Sequence, residues 1–175
     1  MIIKYLWCFF IYSFLGYCIE VIYHLLNNGK FVNRGFLKGA YCPIYGFGSL
    51  FIIYILKDIT NPIYVYIVGV IITTVIEYFT GDVLKKFFGL SWWDYSDERF
   101  NIKGYVCLKF SLLWGIASLV LMYIIHPRVR IFIKDIQKIR FSNVLLAILI
   151  LIIFIDFVST VLQLLKNRLE KKWKV

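Results

Sequence analysis

The chain has 175 residues, of which 61% are hydrophobic and only 17% charged. Soluble domains hold about 45–50% apolar residues, so this composition excludes an ordinary soluble domain and points to an integral membrane protein. The net charge of +10 is concentrated in loops and tail with no nucleic-acid-binding motif. It is therefore assigned to lipid headgroups rather than to DNA or RNA.

The first apolar run, Tyr5 to Leu26, is too long for a signal-peptide core and has no small-residue cleavage site after it. It predicts a spanning helix over about 3–26. Inside it lies Ile19-Glu20, and helical spacing puts Glu20 on a stripe with Ser13, Gly16, Tyr17 and His24. A polar loop, 27–41, carries Asn33, Arg34 and Gly35. The second segment, about 42–57, is short and opens with Pro43, Tyr45, Gly46 and Gly48. The third, about 62–83, has Pro62 in its first turn and a second Ile-Glu pair, Ile76-Glu77, on a stripe with Gly69, Thr73 and Gly81. Loop 84–104 contains Ser91-Trp92-Trp93-Asp94-Tyr95-Ser96, Asn101 and Lys103. The fourth segment, about 105–125, is expected to end at His126-Pro127. A basic connector, 126–141, aligns Val129, Ile133, Ile136 and Ile139 on one face, as an interfacial helix would. The fifth segment, about 142–165, places Asp156 beside Ser159, Thr160 and Gln163, which reads as a helix-packing face. A basic tail, 166–175, follows.

Residues 31–50 and 100–119 align as F-x-x-[RK]-G-[FY]-[LV]-x7-[YW]-G-x-[GA]-S-L. Phe31, Arg34, Gly35, Tyr45, Gly46 and Ser49 in the first copy correspond to Phe100, Lys103, Gly104, Trp114, Gly115 and Ser118 in the second. The fold expected is an all-α integral membrane protein of one domain, 1–175, with about five transmembrane helices. Hairpin 1 (about 3–57) and hairpin 2 (about 62–125) are parallel-related copies, and a fifth helix stands outside the repeat. The second loop is longer than the first by roughly 12 residues, the Trp93-Asp94-Tyr95 stretch among them. That insertion is expected to fold over the mouth between the hairpins, with Asp94 facing Arg34 or the loop backbone rather than bulk water.

An acid at the bilayer centre costs about 2.5–3.5 kcal/mol on insertion scales, so Glu20 and Glu77 need a polar partner or a function. They are expected to approach one another across the pseudo-axis, within reach of Arg34, Lys103 or another polar group. The candidates for a polar pathway or substrate site are Glu20, Asn33, Arg34, Tyr45, Glu77, Trp93, Asp94, Tyr95, Asn101 and Lys103. Structural alternatives stand beside each: acids pairing with loop backbone, small residues packing helices, aromatics forming an interfacial belt, and Asp94 as a turn residue. Cys8, Cys18, Cys42 and Cys107 form no metal pattern, and a Cys42–Cys107 disulfide is not expected. No ATPase, metalloprotease, hydrolase or dinucleotide motif is present, so no catalytic residue, metal or cofactor is assigned.

The stretches FFIYSFLGYCIEVIY, NRGFLKGAYCPIYGFG, WWDYS and FNIKGYVCLKFSLLWG together resemble the bacterial Putative ABC-transporter type IV (CmpB-like) membrane family, over roughly residues 8–130. The resemblance implies a bacterial, multi-spanning permease without a settled substrate; the chain has no clear coupling-helix signature for an ATPase, and the basic connector 126–141 is the candidate contact for one. The resemblance assigns no role to any residue.

The function expected is a membrane transport or permease component with a polar site between the repeated hairpins. Its partners are the bilayer and a further copy of the chain or an ATPase or membrane subunit. The alternatives are a membrane-embedded enzyme or binder for a lipid headgroup, or a structural subunit of a membrane complex. The expected location is a bacterial plasma membrane. Thirteen basic residues on the side of loops 27–41 and 84–104, against seven on the other, lean towards a cytoplasmic C-terminus.

Overall fold

The structure is a computed structural model that describes residues 2–29 and 35–173. Six α-helices and one two-stranded ribbon follow in order: α1 (Ile2–Asn28), α2 (Pro43–Leu56), α3 (Pro62–Phe88), β1 (Asn101–Ile102), β2 (Val106–Cys107), α4 (Leu108–Val120), α5 (His126–Lys138) and α6 (Ser142–Trp173). α4 and α5 are joined without a break through a π-helical turn, Leu121–Ile125. Four helical runs are long and apolar enough to cross a membrane: Ile2–Leu26, Pro62–Phe88, Leu108–Lys138 and Ser142–Glu170. With the shorter α2 they give the all-α membrane protein of about five helices that the sequence predicts. Their outer faces carry exposed Ile67, Ile71, Val75 and Phe79 on α3 and Phe154 and Ile155 on α6, as lipid contact requires.

The two hairpins are built by the same contacts. A Cβ at Gly46 of α2 would meet Ser13 Oγ at 2.3 Å and Phe9 at 2.7 Å. A Cβ at Gly115 of α4 would meet Val70 Cγ2 at 2.4 Å and Tyr66 at 2.7 Å. Phe9 and Ser13 stand to Glu20 as Tyr66 and Val70 stand to Glu77. The glycines thus let the second helix of each hairpin approach the first at equivalent points. From Tyr105 along α4 the contacts retreat along α3: Tyr105 meets Gly81, Ser111 bonds Thr74, and Ser118 meets Gly69; along α2, Tyr45 meets Gly16 and Phe47 meets Phe9. Each hairpin is therefore antiparallel. Residues 57–61 join them tightly, with Asn61 capping α3 through a bond from the Ile63 N–H, so α1 and α3 run the same way. α6 runs with them. Its start packs Leu146 into the cluster of Trp7, Cys8 and Tyr12, and near its end Arg168 donates to the carbonyls of Lys86 and Phe87.

Two features depart from expectation. α2 has 14 residues, about 21 Å of helix, too short to cross a hydrocarbon core of about 30 Å alone. Its missing length is supplied by residues 35–42, which run as irregular chain at the depth of the helix midpoints: Cys42 N–H donates to the carbonyl of Ser13, midway along α1, at 2.9 Å. Irregular backbone at membrane depth survives only where protein groups satisfy it, and Asp156 of α6 does so. It accepts from Gly39 N–H at 2.8 Å, Lys38 N–H at 3.3 Å and the Tyr41 hydroxyl at 2.6 Å. Asp156 is thus more than a packing residue.

The second departure is at His126-Pro127, where the fourth helix continues to Lys138 rather than ending. In an α-helix the proline ring would press on the carbonyl four residues before it. The π turn over Leu121–Ile125 widens the helix just ahead of Pro127, and His126 N–H bonds the Leu121 carbonyl. The connector is helical with Val129 and Ile133 buried and Ile139 exposed, so the expected apolar face closes for part of its length. All four cysteines are free.

Candidate functional site

Glu20 sits on α1 opposite the first turn of α2, because Gly16 is cut away beneath it. A Cβ at Gly16 would fall 2.2 Å from Tyr45 Cγ. The Tyr45 ring lies in that notch and its hydroxyl donates to Glu20 Oε1 at 2.7 Å. His24, one turn on, has Nε2 3.7 Å from Glu20 Oε2. Glu77 occupies the same place on α3. It is buried, 7% exposed, and accepts the Tyr95 hydroxyl at Oε1, 2.9 Å. The indole of Trp114, the counterpart of Tyr45, acts on the Glu77 carboxylate as a hydrogen-bond donor, and Glu20 lies within electrostatic reach of it. Tyr45 and Trp114 touch edge to face, ring centroids 5.6 Å apart. The equivalent aromatic residues of the two hairpins therefore meet each other, with an acid beside each.

The insertion in the second loop completes the Glu77 side. Trp93 Nε1 donates to the Tyr105 carbonyl at 2.8 Å, and Tyr95 stacks on Phe110 with centroids 4.7 Å apart. Tyr and Trp suit this position because their rings lie on apolar surface while a polar tip reaches inward. Lys103 and Gly104 are the central residues of a turn closed by Tyr105 N–H to the Ile102 carbonyl, at φ 54° and 69°. Two positive φ values make the hairpin turn that matches strand twist. At Gly104 a Cβ would also strike Asp94 Oδ1 at 2.6 Å.

Asp94 is exposed and accepts from the hydroxyl and the N–H of Ser96. Those two bonds hold its carboxyl below the usual carboxylate range. It bonds loop backbone as a turn residue, but it is open to water rather than shielded from it as expected. Asn101 is likewise a clamp, donating to the carbonyls of Ser96 and Glu98 and accepting from Gly104 N–H. Lys103 lies over the Tyr78 ring, 5.9 Å from its centroid, rather than against an acid. Asn33 and Arg34 lie outside the described residues. Of the sequence-derived candidates, Glu20, Tyr45, Glu77 and Tyr95 come together in one cluster. Trp93, Asp94 and Asn101 build the loop that carries Tyr95.

Trp114 and Asp156 were not among those candidates. Trp114 was legible from the repeat, as the counterpart of Tyr45. Asp156 had no signal beyond being an acid in an apolar segment. Among the described residues no group of three or more His, Cys, Asp or Glu side chains is placed to hold a metal ion.

Residues 7–161 match the protein family described as Putative ABC-transporter type IV. No curated protein matches the chain, and no solved structure does.

Proposed function

The chain belongs to the Putative ABC-transporter type IV family, and on that footing we propose that this transport-related membrane protein is the membrane-spanning component of a transporter whose working site is the Glu20–Glu77 cluster between the two hairpins. The chain carries no nucleotide-binding motif, so energy from ATP would reach it through a separate ATPase subunit. The observation that carries the reading is the duplicated arrangement at the seam, with Tyr45 bonded to Glu20, Tyr95 bonded to Glu77, and Tyr45 against Trp114. Acids inside spanning helices are costly, and they mark pathways when they face the bundle interior. Repeat interfaces near the membrane midplane are where transporters hold their cargo.

The test is affinity purification of the tagged full-length chain from its native membrane, followed by assay of ATP hydrolysis. A transport component brings down a nucleotide-hydrolysing subunit in fixed stoichiometry. Isolation with no ATPase activity, at full recovery of the chain, would overturn the proposal.

A further inference from the structure

Glu20 and Glu77 are equivalent in sequence but not in surroundings. Glu20 has the Tyr45 hydroxyl on one oxygen and His24 3.7 Å from the other. Glu77 is more deeply buried and has the Tyr95 hydroxyl on Oε1, while Oε2 is buried and makes no hydrogen bond of normal geometry, the Trp114 indole acting on the carboxylate only through a weaker, longer bond. The cation that the repeat pattern offers to this side, Lys103, is held over Tyr78. The Tyr95 hydroxyl and the Trp114 indole favour a charged carboxylate here. Against them stand the desolvation of that carboxylate and repulsion from the second acid.

We propose that Glu77 Oε2 is the binding point of one monovalent inorganic cation, a proton or Na⁺, held between Glu77 and Glu20. This deepens the reading of the acid pair as the working site and rests on it. The stoichiometry follows from the single open oxygen. Among the described residues Glu77 Oε2 is the one buried carboxylate oxygen without a hydrogen-bond partner of normal geometry, so one ion per chain is expected. Divalent ions such as Ca²⁺ are held by several carboxylates, and among the described residues no third acidic, His or Cys side chain stands with Glu20 and Glu77 to hold one. The Tyr45–Trp114 and Tyr95–Phe110 ring contacts crowd the cluster against a bulky organic cation. The titratable groups facing the pair are Glu20 and His24 from α1, Cys42 and Tyr45 from the start of α2, Tyr95 from the loop and Cys107 at the start of α4.

The experiment uses the full-length protein in lipid nanodiscs, melted in NaCl or choline chloride at equal ionic strength over a series of pH values. Binding to the folded state raises the midpoint, by about 5 °C or more at saturating ligand. If Na⁺ is the occupant, NaCl shifts the midpoint at fixed pH and ²²Na⁺ binds one per chain. If a proton is, the salts are equal, the midpoint rises as pH falls, and infrared spectra show a protonated carboxyl. In either case Glu77→Gln, neutral and nearly isosteric, abolishes the response and the associated signal. Should that variant fail to fold, the same ²²Na⁺ and infrared measurements on the unaltered protein decide. The inference is overturned if the unaltered protein binds no Na⁺ and shows no protonated carboxyl, or if a folded Glu77→Gln responds as the unaltered protein does. Because no ATPase subunit enters this measurement, its failure is separate from failure of the transporter reading.

Discussion

Tyr45 and Trp114 occupy the same position in the two hairpins, and their rings meet edge to face at 5.6 Å. The contact joins the two hairpins at equivalent positions, with Glu20 beside Tyr45 and Glu77 beside Trp114.

The glycines at the helix crossings should be unequal in what they tolerate. At Gly115 an added Cβ would meet Val70 and Tyr66 at 2.4 and 2.7 Å, whereas at Gly48 nothing lies within 4 Å. Gly115→Ala is expected to destabilise the protein by about 1–3 kcal/mol through overpacking. Gly48→Ala should be neutral or stabilising by up to about 1 kcal/mol, from helix propensity. Unfolding midpoints in detergent measure both, and equal effects would contradict the crossing geometry.

Asp156 should behave as the anchor of residues 38–41. Asp156→Leu removes the acceptor of the part-buried Gly39 N–H and Tyr41 hydroxyl, at a cost of about 1 kcal/mol per orphaned group. Hydrogen exchange in a peptide covering residues 36–42 should accelerate at least about tenfold. Asp156→Asn keeps an acceptor oxygen and should lose less. Unchanged exchange in the Leu variant would show that the loop is held by other means.

Asp94 should act through its turn. Its folded-state carboxyl is held below the ordinary carboxylate range by the Ser96 hydroxyl and N–H. What it adds to loop order is therefore fully present above the unfolded value and lost as pH falls through the lowered folded value. Fluorescence of Trp93 should stay constant at neutral pH and change only in that acid range. Asp94→Asn should be tolerated and Asp94→Ala should disorder the loop. Loss of function in both, with the loop intact, would instead indicate a charge-dependent role.

The parallel arrangement predicts sidedness. Cysteines placed at Lys86 and Arg168, joined through the Lys86 carbonyl, should label from one face of the membrane. Cysteines at Lys57 and Lys134 should label from the other. Labelling of Lys86 and Lys57 from the same face would require a different topology.

Much of this architecture was legible in the sequence because a repeat carries its own alignment. Gly46 and Gly115, and Glu20 and Glu77, fall in register before any coordinates are known. Apolar run length separated the long helices, and even the shortness of α2 was visible. The continuation through Pro127 was not, because a π turn leaves no composition signal and proline reads as a stop. Asp156 was legible as an acid but not as a backbone acceptor, since nothing in the chain announces that residues 35–42 descend to its depth. The candidate site was half legible. The acids and Tyr45 follow from the repeat, and Tyr95 from its place in the insertion. Asn101 and Lys103 looked like site residues because they are polar in a repeated motif, yet their roles are a loop clamp and a hairpin turn.

The central claim is that the acid pair at the hairpin seam is the working site of a transport component. Its most direct test is ATP turnover of the purified complex in proteoliposomes, comparing the unaltered chain with Glu20→Gln and Tyr45→Phe at equal subunit stoichiometry. The Tyr45 hydroxyl donates to Glu20, so both variants disturb the same contact from opposite sides while leaving the helices apolar and close in shape. The account predicts that both lower turnover, by about tenfold for a lost charge-assisted bond worth 1.4 kcal/mol or more, with the complex still assembled. Unaltered turnover in both variants would contradict it and leave the cluster as a device for packing the two hairpins together.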